Sequence, residues 1–211
     1  MPTEITPSSS DPALACYVSP IGSITLAARD GSLVGMWVAG QRFFGRPYGI
    51  DEASAHPAVD LTSPDSREGA LARARWDEAD ARALGAAMSW LDGYFAGEAP
   101  SPATVRLAPA GTDFQKRVWE AMDAIPYGAK HTYGHLAATM RGAGIPASAQ
   151  AVGGAVGRNP LLLIRPCHRV ASASGQVHYG GGPARKLYLL SLESGNASAI
   201  CSATKSSSTG S

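Results

Sequence analysis

The 211-residue chain is 45% apolar and 17% charged, the balance of an ordinary globular protein long enough to bury one large core or two small ones. No run of about 18 apolar residues occurs, which excludes a membrane-spanning helix, and the opening MPTEITPSSS lacks the basic and apolar regions of a signal peptide. The net charge of +1 hides an asymmetry: residues 1–111 carry 8 Lys/Arg against 13 Asp/Glu, residues 112–193 carry 9 against 4.

A basic half beside an acidic half points to a polyanionic partner, although scattered charges are equally a solvated surface. The cysteines, Cys16, Cys167 and Cys201, are widely spaced and form no CxxC pair. The five histidines make no ligand pattern with them. No disulfide framework and no metal site is expected, and a reducing cytoplasm fits best.

Residues 1–11 are expected to be disordered. The run YVSPIGSITLAARDGSLVGMWVAG alternates apolar residues around two turn signals, Pro20-Ile21-Gly22 and Asp30-Gly31, and predicts a hairpin or short meander. GQRFFGRPYG is a loop, and residues 51–70, rich in Pro, Ser and Asp, an irregular connection. Residues 70–95 form a helical stretch in which Leu71, Leu84, Met88, Leu91 and Phe95 recur at helical intervals. GEAPSPATVRLAPAG is a linker holding one short strand, TVRL. These elements predict an N-terminal α/β domain over residues 12–105, a small sheet with helices, and a linker over 106–111.

The second half predicts a mainly α domain over residues 112–195. Thr112 caps a helix, DFQKRVWEAMDAI, whose Phe114, Val118, Met122 and Ile125 share a face. Pro126-Tyr127-Gly128 stops it. A short helix, TYGHLAATM, follows with Thr132 as its cap, and RGAGIPA leads to a third, SAQAVGGAVGRN. Two short helices joined by a glycine-bearing loop suggest a helix-turn-helix, with an ordinary helical hairpin as the alternative. Ala151, Gly153, Gly154, Ala155 and Gly157 let another backbone come close, from nucleic acid or a partner helix. Then come the buried run LLLI, the segment RPCHRV, a glycine-rich loop and a closing helix, KLYLLSLE. The tail over 196–211 is low-complexity and expected to be disordered.

In IRPCHRV, Cys167 is followed by a base and a cation. A thiolate is the reactive form, and such neighbours generate it near neutral pH. Adjacent residues on a strand point apart, so His168 reaches Cys167 only through a turn or a bridging water. Glu193 is the obvious carboxylate to orient the imidazole. Pro166 fixes the chain before the thiol, Gly180 to Gly182 would admit a planar ligand, and Tyr133 and Tyr179 offer a hydroxyl and a ring face. The alternative is an inert buried cysteine.

PCHRV, with GTDFQKRVWEAMDAIPYGAKHTYG, AVGGAVGRNP, YGGG and RKLYLLSLE, resembles the O6-alkylguanine-DNA alkyltransferases, densely over residues 111–193 and more weakly at SPIGSITL and WLDGYFAGE. The resemblance implies a ribonuclease H-like N-terminal domain and a winged-helix-like C-terminal domain. It implies single-use repair of O6-alkylguanine, with O4 of thymine as a second target, in double-stranded DNA bound through the minor groove with the base flipped out. Cys167 would take the alkyl group, His168 would activate it through a water, and Glu193 would hold His168. Tyr133 would donate toward guanine N3, and Asn159 would support the turn before the site.

The resemblance also places Thr132, Tyr133, Gln150, Ala151, Gly154, Arg158 and Arg169 on the DNA, and Pro166, Tyr179, Gly180, Gly181 and Lys186 around the substrate pocket. It implies no cofactor, no metal, no membrane and a monomer, in the cytoplasm or, in a eukaryote, the nucleus. Gln150 stands where the family's base-stack arginine usually sits, MRGAGIPAS is longer than the family pattern, and QVHY is shorter. Arg165 replaces an aliphatic residue and is expected to border the pocket. The readings set against alkyl transfer are a lesion-binding protein with weak or no transfer, and a Cys–His hydrolase.

Overall fold

The structure, a computed structural model, describes residues 11–52, 59–60, 76–176 and 178–195. The expected disorder of residues 1–11, apart from the exposed Asp11, and of the tail, Leu71, and most of the 51–70 connection lie outside the described residues.

The meander is present. Strands β1 (Ala13–Ser19), β2 (Gly22–Arg29) and β3 (Ser32–Val38) run antiparallel. The first turn places Gly22 at φ 103° and the second places Asp30 and Gly31 at φ 54° and 68°, a conformation that glycine and aspartate tolerate best. Residues 51–70 are not wholly irregular: β4 (Val59–Asp60) pairs in parallel with β1, so the sheet order is β3-β2-β1-β4.

Helix α1 (Glu78–Phe95) packs on this sheet through Leu84, Met88 and Leu91. Its N-cap Asp77 accepts from Asp80 N at 2.8 Å. TVRL is not a strand. Pro102–Thr104 is a 3₁₀ turn, and only Leu107 bridges to the edge of β3, through Leu33 N to Arg106 O and Ala108 N to Leu33 O. The amides that would extend this ladder are bonded elsewhere: Gly31 N donates to Asp80 Oδ1 at 2.7 Å and Ala110 N to the Tyr48 hydroxyl at 2.9 Å.

In the second half, α2 (Asp113–Asp123) starts with a capping box between Thr112 and Gln115. Helices α3 (Tyr133–Gly142) and α4 (Ala149–Val156) have Thr132 and Ser148 as N-caps. The three helices pack on one another, and Trp119 Nε1 donates to Ala155 O at 3.0 Å to hold α4 against α2. Helix α5 (Pro183–Glu193) closes the chain.

Two further contacts position the site. The segment after α4 adds to β3, where Met36 N donates to Pro160 O at 2.7 Å and Leu162 N to Met36 O at 3.0 Å. Strands β5 (His131–Thr132) and β6 (Val170–Ala171) pair in parallel, which brings the start of α3 beside the residues after Cys167. One continuous apolar core runs from Ala13 to Leu189 and includes Cys167.

Candidate active site

Cys167 does not lie on a strand. It opens a 3₁₀ turn, Cys167–Arg169, which bends the chain so that sequence neighbours no longer point apart. Asn159 holds the approach. Its Nδ2 donates to Leu161 O at 3.2 Å and Arg165 O at 2.9 Å, and its Oδ1 accepts from Leu161 N at 3.0 Å. Leu163 within this loop has φ 67°, a left-handed conformation that the Asn159 bonds hold in place.

Cys167 is buried, at 8% exposure. Burial pushes its pKa up, and the Asn159 side chain and the Lys186 ammonium only partly oppose this. The sulfur is therefore a neutral thiol near neutral pH and needs a base. His168 is fully buried, and its Nε2 lies 2.7 Å from Glu193 Oε1. Since a carboxylate only accepts, the proton sits on Nε2 and the lone pair on Nδ1, which is buried and has no hydrogen-bond partner among the described residues. Burial lowers the His168 pKa against the pull of Glu193, so the ring is neutral and can accept a proton.

Glu193 gathers the cluster. Oε1 accepts from His168, from the Tyr94 hydroxyl at 2.8 Å and from Arg169 Nη2 at 3.0 Å. Oε2 accepts from Arg169 Nε at 2.9 Å and Gly128 N at 3.1 Å. Burial alone would raise its pKa, but the His168 and Arg169 bonds outweigh it and bring the carboxyl down to about 2.

Beside the thiol opens a cavity of about 660 Å³. Its walls come from α4 and the turn after it (Gln150, Gly153, Gly154, Gly157, Arg158), the loop His178–Gly180, Tyr133, and the loop Gln41–Phe43 of the N-terminal half. Burial and the nearby Cys167 raise the pKa of Tyr133 and push that of Tyr179 well up, so both hydroxyls keep their protons. Among the described residues no three His, Cys, Asp or Glu side chains converge as a metal site, and no helix is long and apolar enough to cross a membrane.

Residues 113–195 match the family described as 6-O-methylguanine DNA methyltransferase, DNA binding domain. The methylated-DNA–protein-cysteine methyltransferase of Mycolicibacterium paratuberculosis is 40% identical over 176 residues, 83% of this chain and 88% of that protein. The chain belongs to the methylated-DNA–protein-cysteine methyltransferase family. The relative of that name from Mycobacterium bovis is 47% identical over 128 residues, 60% of this chain and 74% of the relative. A crystal structure of Mycobacterium tuberculosis OGT in complex with DNA superposes with a TM-score of 0.62 at 35% identity, covering 87% of this chain and 94% of that one.

In this methyltransferase-family chain Cys167, Tyr133, Asn159, Gln150, Gly154, Arg158, Tyr179 and Gly180 line the cavity together. Ala151 is exposed on α4 beside Gln150, and Thr132 caps α3 without lining the cavity. Other expected residues sit elsewhere. Arg169 faces inward: besides its bonds to Glu193, Nη1 donates to Ile125 O at 2.8 Å, so the guanidinium is a structural tether. Pro166 lines a smaller cavity, of about 220 Å³, with Trp90 and Tyr127. Lys186 is buried under the site, where Nζ donates to Val170 O at 2.5 Å and His178 O at 3.1 Å. Gly181 lies behind the cavity wall, where a Cβ would stand 2.9 Å from the Tyr179 ring and 3.0 Å from Val38. Arg165 turns away from the large cavity toward Asp123, at 3.5 Å, and the Trp119 ring.

Sequence reasoning missed Tyr94, Gly128, Gln41, Arg42 and Phe43. The first is one buried aromatic among several on α1, and Gly128 contributes only a backbone N–H.

Proposed function

We propose that the chain repairs duplex DNA by transferring an alkyl group from O6 of guanine, or O4 of thymine, directly to Cys167. The observation that carries this reading is the placement of the buried Cys167 thiol in the wall of a cavity large enough for a flat purine, with residues of helix α4 in the same wall.

The chemistry follows from the site. The Cys167 proton passes through a water to His168 Nδ1, and Glu193 stabilises the imidazolium that results. The sulfur attacks the alkyl carbon in line. The S–C bond forms as the C–O6 bond breaks, and the electron pair passes into the purine. Tyr133 donates its proton toward guanine N3, so the base leaves neutral, and the proton taken up by His168 returns to the Tyr133 oxygen. The thioether does not turn over, so each molecule acts once, without a cofactor.

The DNA is double-stranded and enters by its minor groove. Helix α4 presents Gln150, Ala151, Gly154 and Arg158, with Thr132 and Tyr133 at the start of α3. A monomer suffices. The N-terminal half, residues 12–105, is taken as ribonuclease H-like, the half over 112–195 as winged-helix-like, with 106–111 between them. The test is Cys167→Ala: it is expected to bind alkylated duplex and transfer nothing, and transfer by this variant would overturn the mechanism.

A further inference from the structure

The loop Gln41–Phe44, which belongs to the N-terminal half, reaches the cavity mouth in a fixed shape. Arg42 N donates to Gly180 O at 3.1 Å and Phe44 N to Gln41 O at 3.1 Å. Phe43 is held at φ 66°, an uncommon conformation for an aromatic residue and one that clusters at functional sites.

Two guanidinium groups share the Phe43 ring. Arg42 Cζ lies 4.8 Å from its centroid and Arg158 Cζ 5.2 Å. Arg158 is steadied further by Nη1 donating to Gly154 O at 2.9 Å. Both arginines are exposed, and among the described residues neither has a carboxylate within salt-bridge distance. Two like charges are thus gathered on one ring at the rim of the cavity that holds the nucleophile. The ring's attraction for cations steadies each of them but leaves their mutual repulsion uncompensated. A diffuse anion reaching both would compensate it. When a base occupies the cavity, its sugar-phosphate must lie at the mouth, and a guanidinium fork matches phosphate oxygens.

We infer that Arg42 and Arg158, held over Phe43, clamp the phosphodiester beside the extruded nucleotide, so that the N-terminal half takes part in substrate binding. This rests on the transfer reaction proposed above. Phe43 is the scaffold of the clamp and not a stacking platform, because the guanidinium groups already stand over its ring.

The test compares two substrates in single-turnover transfer: a duplex carrying O6-methylguanine, and the free base O6-benzylguanine, which has no phosphate. For Arg42→Gln, and for Phe43→Leu, the ratio of duplex rate to free-base rate is expected to fall about tenfold, the loss of one charge-assisted contact. Arg42→Gln should also flatten the salt dependence of duplex binding by about one unit of slope, and Arg42→Lys should restore part of both. The double variant should be little worse than Arg42→Gln alone. An unchanged ratio overturns the clamp, whether both rates fall together, as for a cavity wall, or neither falls. A wild-type protein that reacts with neither substrate would overturn the transfer reaction as well.

Discussion

His168 turns its Nε2 to Glu193 Oε1, 2.7 Å away, and leaves its Nδ1 buried without a hydrogen-bond partner among the described residues. That relationship decides which nitrogen can act as the base. Replacing His168 by Ala removes the acceptor while Cys167 stays protonated, since burial raises the thiol pKa. The single-turnover transfer rate is expected to fall about 10²- to 10⁴-fold. Duplex binding, measured by gel shift, should persist. A rate within a few fold of wild type would show that the thiol is activated in another way.

Glu193 carries a structural load beyond His168. Its two oxygens accept from Tyr94, His168, Arg169 and Gly128. Glu193→Gln keeps the shape but leaves the Arg169 guanidinium without its counter-charge. Removing one partner of a buried pair costs about 3 kcal/mol or more. Urea unfolding should show that loss in its midpoint, and an unchanged midpoint would mean the cluster does not hold the fold.

Acid should unfold the protein through the same pair. The Glu193 carboxyl titrates near 2 in the fold against an ordinary 4.5. Between those values the unfolded chain binds the proton more readily, so stability falls as pH drops from 4.5 toward 2. The His168 pKa is lowered from 6.5 by burial. Its unfolded form therefore takes a proton first, and stability begins to fall below pH 6.5. Thermal midpoints measured from pH 8 to pH 3 should decline from about that point and steepen below 4.5. A midpoint independent of pH across that range would contradict the assigned charge states.

Much of the fold was legible, and so was part of the site. Asp30-Gly31 and Gly22 marked both turns of the meander because their backbone conformations demand those residues. Thr112 and Thr132 marked two helix starts for an equally local reason. What was not legible depends on contacts between distant segments. Tyr94 reaches Glu193 across 99 residues of sequence, and nothing in WLDGYF distinguishes its hydroxyl from that of any buried tyrosine. The family resemblance put Arg169 on the DNA, with a structural tether as the alternative, and the 3₁₀ turn at Cys167 directs it inward to Glu193. Pro166 precedes the nucleophile and Lys186 follows the glycine run, yet Pro166 lines the smaller cavity and Lys186 donates to the carbonyls of Val170 and His178. TVRL makes a single bridge where a strand was expected, because Asp80 and Tyr48, both distant in sequence, take the neighbouring amides of Gly31 and Ala110.

Gln150 stands exposed at the cavity mouth, on the first turn of α4. Gln150→Arg adds a charge and a planar fork at that point. Duplex affinity should rise several-fold, the salt dependence should steepen by about one unit, and transfer from duplex should speed up. No change in affinity or rate would remove this position from the flipping step.

The most direct measurement is the intact mass of the protein after mixing with a short duplex that carries O6-methylguanine, followed by mapping of the modified peptide. The expected result is one added methyl, on the peptide containing Cys167, with the reaction stopping at one equivalent even in excess DNA. Bound duplex with no gain in mass, or a methyl on any other residue, would contradict transfer to Cys167.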